Sequence, residues 1–291
     1  MTGEDRRVTM GEGGTPLVGA PRLTDGYGAD SLALKDESRN PTGSVHDRAA
    51  SVAVSAARDE GVERVVRCAA GDLAVSLAAY AARAGVESHA YVPSRAPFDA
   101  KASVNVHGGS MDVVRGSLGD ARDAADGSAN VNADDLRAGY AAAAREVIEE
   151  TSPDAVVCPV GKGDVYRGFA VALPEDVALH AAQPEGCATV LGDVETPDTV
   201  VGELEDASPP RLGELRETVD DRGEAVAVPD GEALDACLEA AREGVSVSPA
   251  GGVALAALDP LGVAGDVVVL NPALGRLSSD ALRNRMVYHG E

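Results

Sequence analysis

The chain has 291 residues, 44% of them apolar, enough to bury a sizeable core in two compact lobes or one large α/β unit. Its formal charge of −23 excludes nucleic acid and anionic membrane surfaces as partners, because no basic stripe offsets phosphate repulsion. In chain order, a helix is predicted from Ser44 to Gly61, with Ser44 and Asp47 as a capping box and Val52, Ala53 and Ala56 at core spacing. A strand follows at Val65–Cys68, a helix at Leu73–Ala84, a strand at His89–Val92, a short helix and a strand at Met111–Val114. The run Leu136 to Glu150 reads as a helix, and Pro153 to Val160 opens a second series of strands. Residues 192–212, rich in Asp, Glu, Pro and Thr, read as a loop crossing between lobes. Strands are then expected at Ala225–Val228, Val245–Val247 and Val267–Leu270, with helices at Glu232–Glu243 and Gly252–Leu258. Short Val-rich runs alternating with Ala-rich helices predict parallel sheets with crossover helices.

Cys68, Cys158, Cys187 and Cys237 are far apart, with no C-x-x-C pair, which favours buried, reduced thiols and a cytoplasmic protein. No apolar run reaches a membrane span. His89, His107, His180 and His289 show no ligand spacing, so no metal site is expected. Only Lys35, Lys101 and Lys162 are lysines against 48 acidic residues, a balance suited to concentrated salt and read as a solvated surface.

Four segments carry chemistry. Leu34-Lys35-Asp36-Glu37-Ser38-Arg39-Asn40-Pro41-Thr42-Gly43-Ser44-Val45-His46-Asp47-Arg48 resembles the cofactor-lysine segment of threonine synthases, members of the pyridoxal-phosphate (PLP) fold type II, which reads L-K-x-E-x-x-N-P-T-G-S-F-K-D-R. Cys68 to Gly85 is similar to that family's A-S-T-G-N-T-S-A-S-L-A-A-Y-A-A-R-A-G, with Asp72 at the asparagine that meets the cofactor's phenolic oxygen and Ala69 and Ala70 at the Ser-Thr pair that binds substrate. Gly161-Lys162-Gly163-Asp164 resembles a shortened phosphate loop, whose glycines let backbone N–H groups approach an anion. An ordinary strand-to-helix turn is the competing reading. Gly244 to Gly252 is similar to G-x-x-V-E-P-A-S-A with Ser248 for glutamate, and Asn271 stands where a hydroxyl residue meets the pyridine nitrogen. Glu12 to Leu17 and Gln183 to Cys187 extend the resemblance over most of the chain, although the G-H-G-L-K-D expected after Asn271 is not recognisable in Pro272 to Leu277.

The resemblance implies a two-lobed α/β fold, parallel sheets flanked by helices, with a cofactor cleft between a large lobe (1–48 and 150–291) and a small lobe (49–149). It implies PLP as cofactor and His46, Asp72, Gly161, Lys162, Gly163 and Asn271 as the positional equivalents of cofactor-binding residues. Position 46 carries histidine, however, and imidazole has no primary amine to condense with the cofactor aldehyde. Asp72 facing a phenolate costs ~4 kcal/mol at 4 Å and an effective dielectric near 20; capping its helix is the plainer role. The expectation is therefore a threonine-synthase-like pseudoenzyme without covalent cofactor and without an assigned catalytic residue. It would bind a small ligand or a partner, as a homodimer or with an intact relative. The alternative is a PLP-dependent lyase converting O-phosphohomoserine to threonine, or a related β/γ-replacement, which needs another amine. Lys162 is the lysine in a pocket motif, whereas Lys35 sits on the preceding strand and Lys101 in the small-lobe helix. A third reading has His46 as acid or base with Asp72 orienting it.

Overall fold

A computed structural model describes residues 7–69, 71–94, 96–125, 127–128, 130–275 and 279–288. Its elements in chain order are β1 (Leu17–Gly19), α1 (Pro21–Tyr27), β2 (Ser31–Asp36), α2 (His46–Asp59), β3 (Arg64–Cys68), α3 (Asp72–Ala84), β4 (Glu87–Pro93), α4 (Phe98–Val106), β5 (Ser110–Val114), α5 (Leu118–Ala124) and α6 (Ala133–Glu150). They continue with β6 (Ala155–Pro159), α7 (Asp164–Ala170), β7 (Ala178–Pro184), α8 (Leu212–Arg222), β8 (Ala225–Val228), α9 (Asp230–Arg242), α10 (Pro249–Ala256), α11 (Leu258–Leu261), β9 (Asp266–Asn271) and α12 (Ser279–Tyr288).

The strands form two sheets. One is six-stranded in the order β1-β2-β9-β6-β7-β8, parallel except for the antiparallel β1; the other is three-stranded and parallel in the order β3-β4-β5. Central strand β6 is buried along its whole length, which is why Ala155-Val156-Val157-Cys158 reads as a continuous apolar run rather than an alternating one. The α/β fold with parallel sheets flanked by helices is as expected. Antiparallel β1 was not anticipated, and Val245–Val247 is not a strand but an irregular approach to α10.

Helix α6 links the two cores. Leu136 and Tyr140 belong to the apolar cluster around α2, α3 and the small sheet, whereas Ala143, Ala144 and Val147 pack with β6, α7 and β7. Its buried residues share one stripe, whose N-terminal part packs in one core and whose C-terminal part packs in the other. Gly139 allows the close approach to α2: a Cβ there would lie 2.5 Å from the Ala49 Cα. All four cysteines are buried and none is in a disulfide, and no described helix is long and apolar enough to cross a membrane.

Candidate functional site

A cavity lies where the chemistry-bearing segments converge. It measures about 100 Å³ and is lined from α2 by His46, from α3 by Asp72, from α6 by Tyr140, and from the β6–α7 turn by Gly161, Lys162 and Gly163. A fifth contributor is the segment Gly202–Asp206, which brings Glu203, Glu205 and Asp206 to the same space. Arg122 of α5 holds that segment: its Nη2 pairs with Asp206 Oδ2 at 2.6 Å and its Nη1 donates to the Ser208 carbonyl at 2.8 Å. Within residues 192–212, expected as a crossing loop, Gly202–Asp206 thus form one wall of the site.

His46 is the first residue of α2, and its Nδ1 is 2.7 Å from the hydroxyl of Tyr140. The two rings meet edge to face, centroids 5.6 Å apart. Burial, and then the charge of Lys162, pull the His46 pKa down to about 3, so the imidazole is neutral at physiological pH. Burial also lowers the pKa of Lys162 and keeps the Tyr140 hydroxyl protonated well above its ordinary range. Near neutral pH the site therefore holds an uncharged donor–acceptor pair beside a lysine with weakened basicity.

Several side chains play parts other than those expected. Ser44 and Asp47 do not form a capping box: the N-cap is Val45, already in helical geometry, and makes no side-chain cap. Asp47 instead turns back to accept from the Thr42 N–H at 2.6 Å and the Thr42 hydroxyl at 2.5 Å. Asp72 is the first residue of α3 rather than its cap, which is Gly71. His46 takes Tyr140, not Asp72, as its hydrogen-bonding partner. Asn271 does not line the cavity; its amide donates to Asp36 Oδ1 at 2.9 Å and to the Ser246 carbonyl at 3.2 Å. Strand register explains this, because Asp36 of β2 lies directly across from Asn271 of β9. Ser248 caps α10 through a bond from the Gly251 N–H.

Gly161, Lys162 and Gly163 do form the turn between β6 and α7. Gly163 sits at φ +85° with its pro-side-chain direction 2.6 Å from Leu215 Cδ2. Gly163→Ala is expected to lower stability by about 1–3 kcal/mol through left-handed strain and this clash, read by thermal unfolding; an unchanged midpoint would refute the packing described. Of the other lysines, Lys35 is fully buried against Glu146 and Glu150, and Lys101 donates to the Ser94 carbonyl. His89 lies beside Ser110 and Asp112, His180 accepts from the Glu224 N–H, and His107 ends α4. No three-ligand metal cluster occurs among the described residues. Ala70, Arg276, Leu277 and His289 lie outside them.

Sequence reasoning missed Tyr140, which carried no motif signal beyond its place on the apolar face of α6. It also missed Glu203, Glu205 and Asp206, whose segment lacks periodicity.

The family model "Pyridoxal-phosphate dependent enzyme" matches residues 8–272. The threonine synthase of Methanosarcina acetivorans is 29% identical over 321 residues, covering 95% of this chain and 78% of that protein. That of Mycobacterium leprae is 32% identical over 280 residues, covering 86% and 76%. Among solved structures, the processed form of threonine deaminase isoform 2 from Solanum lycopersicum superimposes with a TM-score of 0.80 at 18% identity, covering 95% of this chain and 84% of that one, a likeness of fold. The family match over 265 positions, together with the ordered motifs around the cavity, makes this chain a member of the pyridoxal-phosphate dependent enzyme family with a threonine-synthase-like sequence.

Proposed function

We propose that this chain is a threonine-synthase-like protein that has given up covalent cofactor chemistry at position 46 and uses its cavity for a small ligand. The observation that carries this reading is the imidazole of His46 at the family's lysine position, bonded to Tyr140 at 2.7 Å. The residues around it do not fit pyridoxal phosphate. Gly161 is packed against the chain itself, so that a Cβ there would lie 3.0 Å from the Leu204 Cα. Asp72, Asp164, Glu203, Glu205 and Asp206 line the cavity, and carboxylates there oppose an anionic ligand. The cavity, at about 100 Å³, is also well below the roughly 300–1,000 Å³ of common ligand clefts.

Kinship favours a second reading, a PLP-dependent lyase acting on O-phosphohomoserine or a related substrate, since the sequence relatives named above are threonine synthases. That activity needs an amine in the cavity, and Lys162 is the one lysine lining it.

An absorbance scan in high salt with added pyridoxal phosphate, followed by borohydride reduction and peptide mass mapping, separates the two. The first reading expects no visible band and no phosphopyridoxyl-lysine, and the same for His46→Lys, because the carboxylates and the Gly161 packing persist. A band that maps to Lys162 in the unmodified protein would establish the enzyme reading. Strong cofactor binding in His46→Lys would identify position 46 as the whole lesion.

A further inference from the structure

We infer that Lys162 is a reactive amine that captures a small uncharged aldehyde or ketone in this cavity as an imine, with His46 as proton donor. The inference rests on the reading that the cavity no longer seats pyridoxal phosphate.

The lysine is available. Lys162 makes no hydrogen bond, and no ion pair within 4.0 Å, to any described residue, although five carboxylate side chains line the same cavity. The other two lysines are tied, Lys35 to Glu146, Glu150 and the Thr15 carbonyl and Lys101 to the Ser94 carbonyl. A half-buried lysine with a lowered pKa has a larger fraction of neutral, nucleophilic amine at physiological pH.

The neighbouring pair supplies the proton chemistry. Tyr140 keeps its proton, and the partner recorded for its hydroxyl is His46 Nδ1. The phenol therefore donates and Nδ1 accepts, which assigns the imidazole proton to Nε2. His46 lines the cavity, so Nε2–H is its remaining donor there.

Size and charge select the ligand. A cavity of about 100 Å³ is smaller than the roughly 150 Å³ engineered cavity that binds benzene, so a carbonyl compound of only a few heavy atoms fits. The carboxylates of Asp72, Asp164, Glu203, Glu205 and Asp206 disfavour an anion. A 2-oxo acid or a phosphorylated aldehyde is disfavoured on that ground, and a neutral aldehyde or ketone is not.

The step balances without a redox partner. The neutral Lys162 nitrogen forms a bond to the carbonyl carbon while the carbonyl oxygen takes a proton from His46 Nε2–H. The imidazole recovers a proton from the amine. A second protonation of the oxygen lets the C–O bond break, and the two amine protons leave with that oxygen as one water. Tyr140 acts as a positioning residue by fixing the tautomer.

The test uses the intact chain with propionaldehyde and a hydride reductant, followed by peptide mass mapping. The surface helix residue Lys101 is the internal reference. Lys162 is expected to be alkylated at least about tenfold faster than Lys101 at neutral pH, with its pH–rate midpoint displaced downward, and Lys35 is expected to stay unmodified. Tyr140→Phe should slow Lys162 several-fold and alter its pH profile while leaving Lys101 unchanged. Equal rates at Lys162 and Lys101, or a Tyr140→Phe variant with an unaltered Lys162 rate and pH profile, would overturn the inference. Pyridoxal phosphate in the same assay is the bulky, anionic arm: its fixation on Lys162 would overturn the underlying reading as well. Failure with both reagents removes this inference alone.

Discussion

Arg48→Ala is expected to destabilise the protein by about 3–5 kcal/mol, because it removes one partner from a buried ion-pair network. The Arg48 guanidinium donates to Glu37 from Nε at 2.7 Å and Nη2 at 2.9 Å, and to Glu146 from Nη1 and Nη2 at 2.6 Å each. Thr15 and Asn40 complete the shell of Glu37 at 2.6 and 2.7 Å. Glu37 has no exposed surface, so loss of the arginine leaves a carboxylate with hydrogen bonds but no adjacent cation. The effect reaches the site, since Arg48 lies two residues after His46 in the first turns of α2. Urea unfolding at fixed salt gives the measurement, with Arg48→Lys intermediate because ammonium cannot reproduce the bidentate fork. A loss below about 1 kcal/mol would mean that the network is not closed as described.

Acidification is expected to reveal Glu146 as a stability switch. Its pKa is lowered from 4.5 to about 2: burial acts to raise it, and is outweighed by the hydrogen bonds from Arg48, Gly14 and Lys35. A carboxylate whose folded pKa is depressed contributes stability that is complete above its unfolded pKa and is lost as pH falls through the folded one. The window here runs from about 4.5 down to about 2, and its size is about 3 kcal/mol at roughly 1.4 kcal/mol per pKa unit. Glu146→Gln should be less stable at neutral pH and show a flatter profile across that window. The difference between the two proteins isolates this group from the general discharge of an acidic surface. Parallel profiles would show that Glu146 is not the coupled carboxylate.

Much of the fold and the place of the site were legible in the residues. The alternation of Val-rich and Ala-rich runs located most strands and helices, since buried parallel strands and their covering helices leave distinct apolar patterns. The motif order placed His46, Asp72 and Gly161 to Gly163 around one cavity, as found. Local signals misled where a partner distant in sequence prevailed. Ser44 and Asp47 have capping-box spacing, but Asp47 is buried against Thr42 and answers to that contact. Val245–Val247 has strand composition, but it bridges the end of α9 at Arg242 to the start of α10 at Pro249, and its Val245 N–H is taken by the Ala240 carbonyl of α9 rather than by a strand. Asn271 has the chemistry to face a ligand, yet its register across from Asp36 directs its amide into the sheet.

The amino-acid order alone thus carried the α/β class, the family and the histidine at position 46, because each is written in short-range pattern and residue chemistry. The contact of His46 with Tyr140 across 94 positions, the acidic wall from Gly202 to Asp206, and the untied Lys162 came only with the folded chain. Their cause is the packing of α2 against α6 through Gly139 and the anchoring of a non-periodic segment by Arg122, contacts between parts of the chain that no local pattern connects.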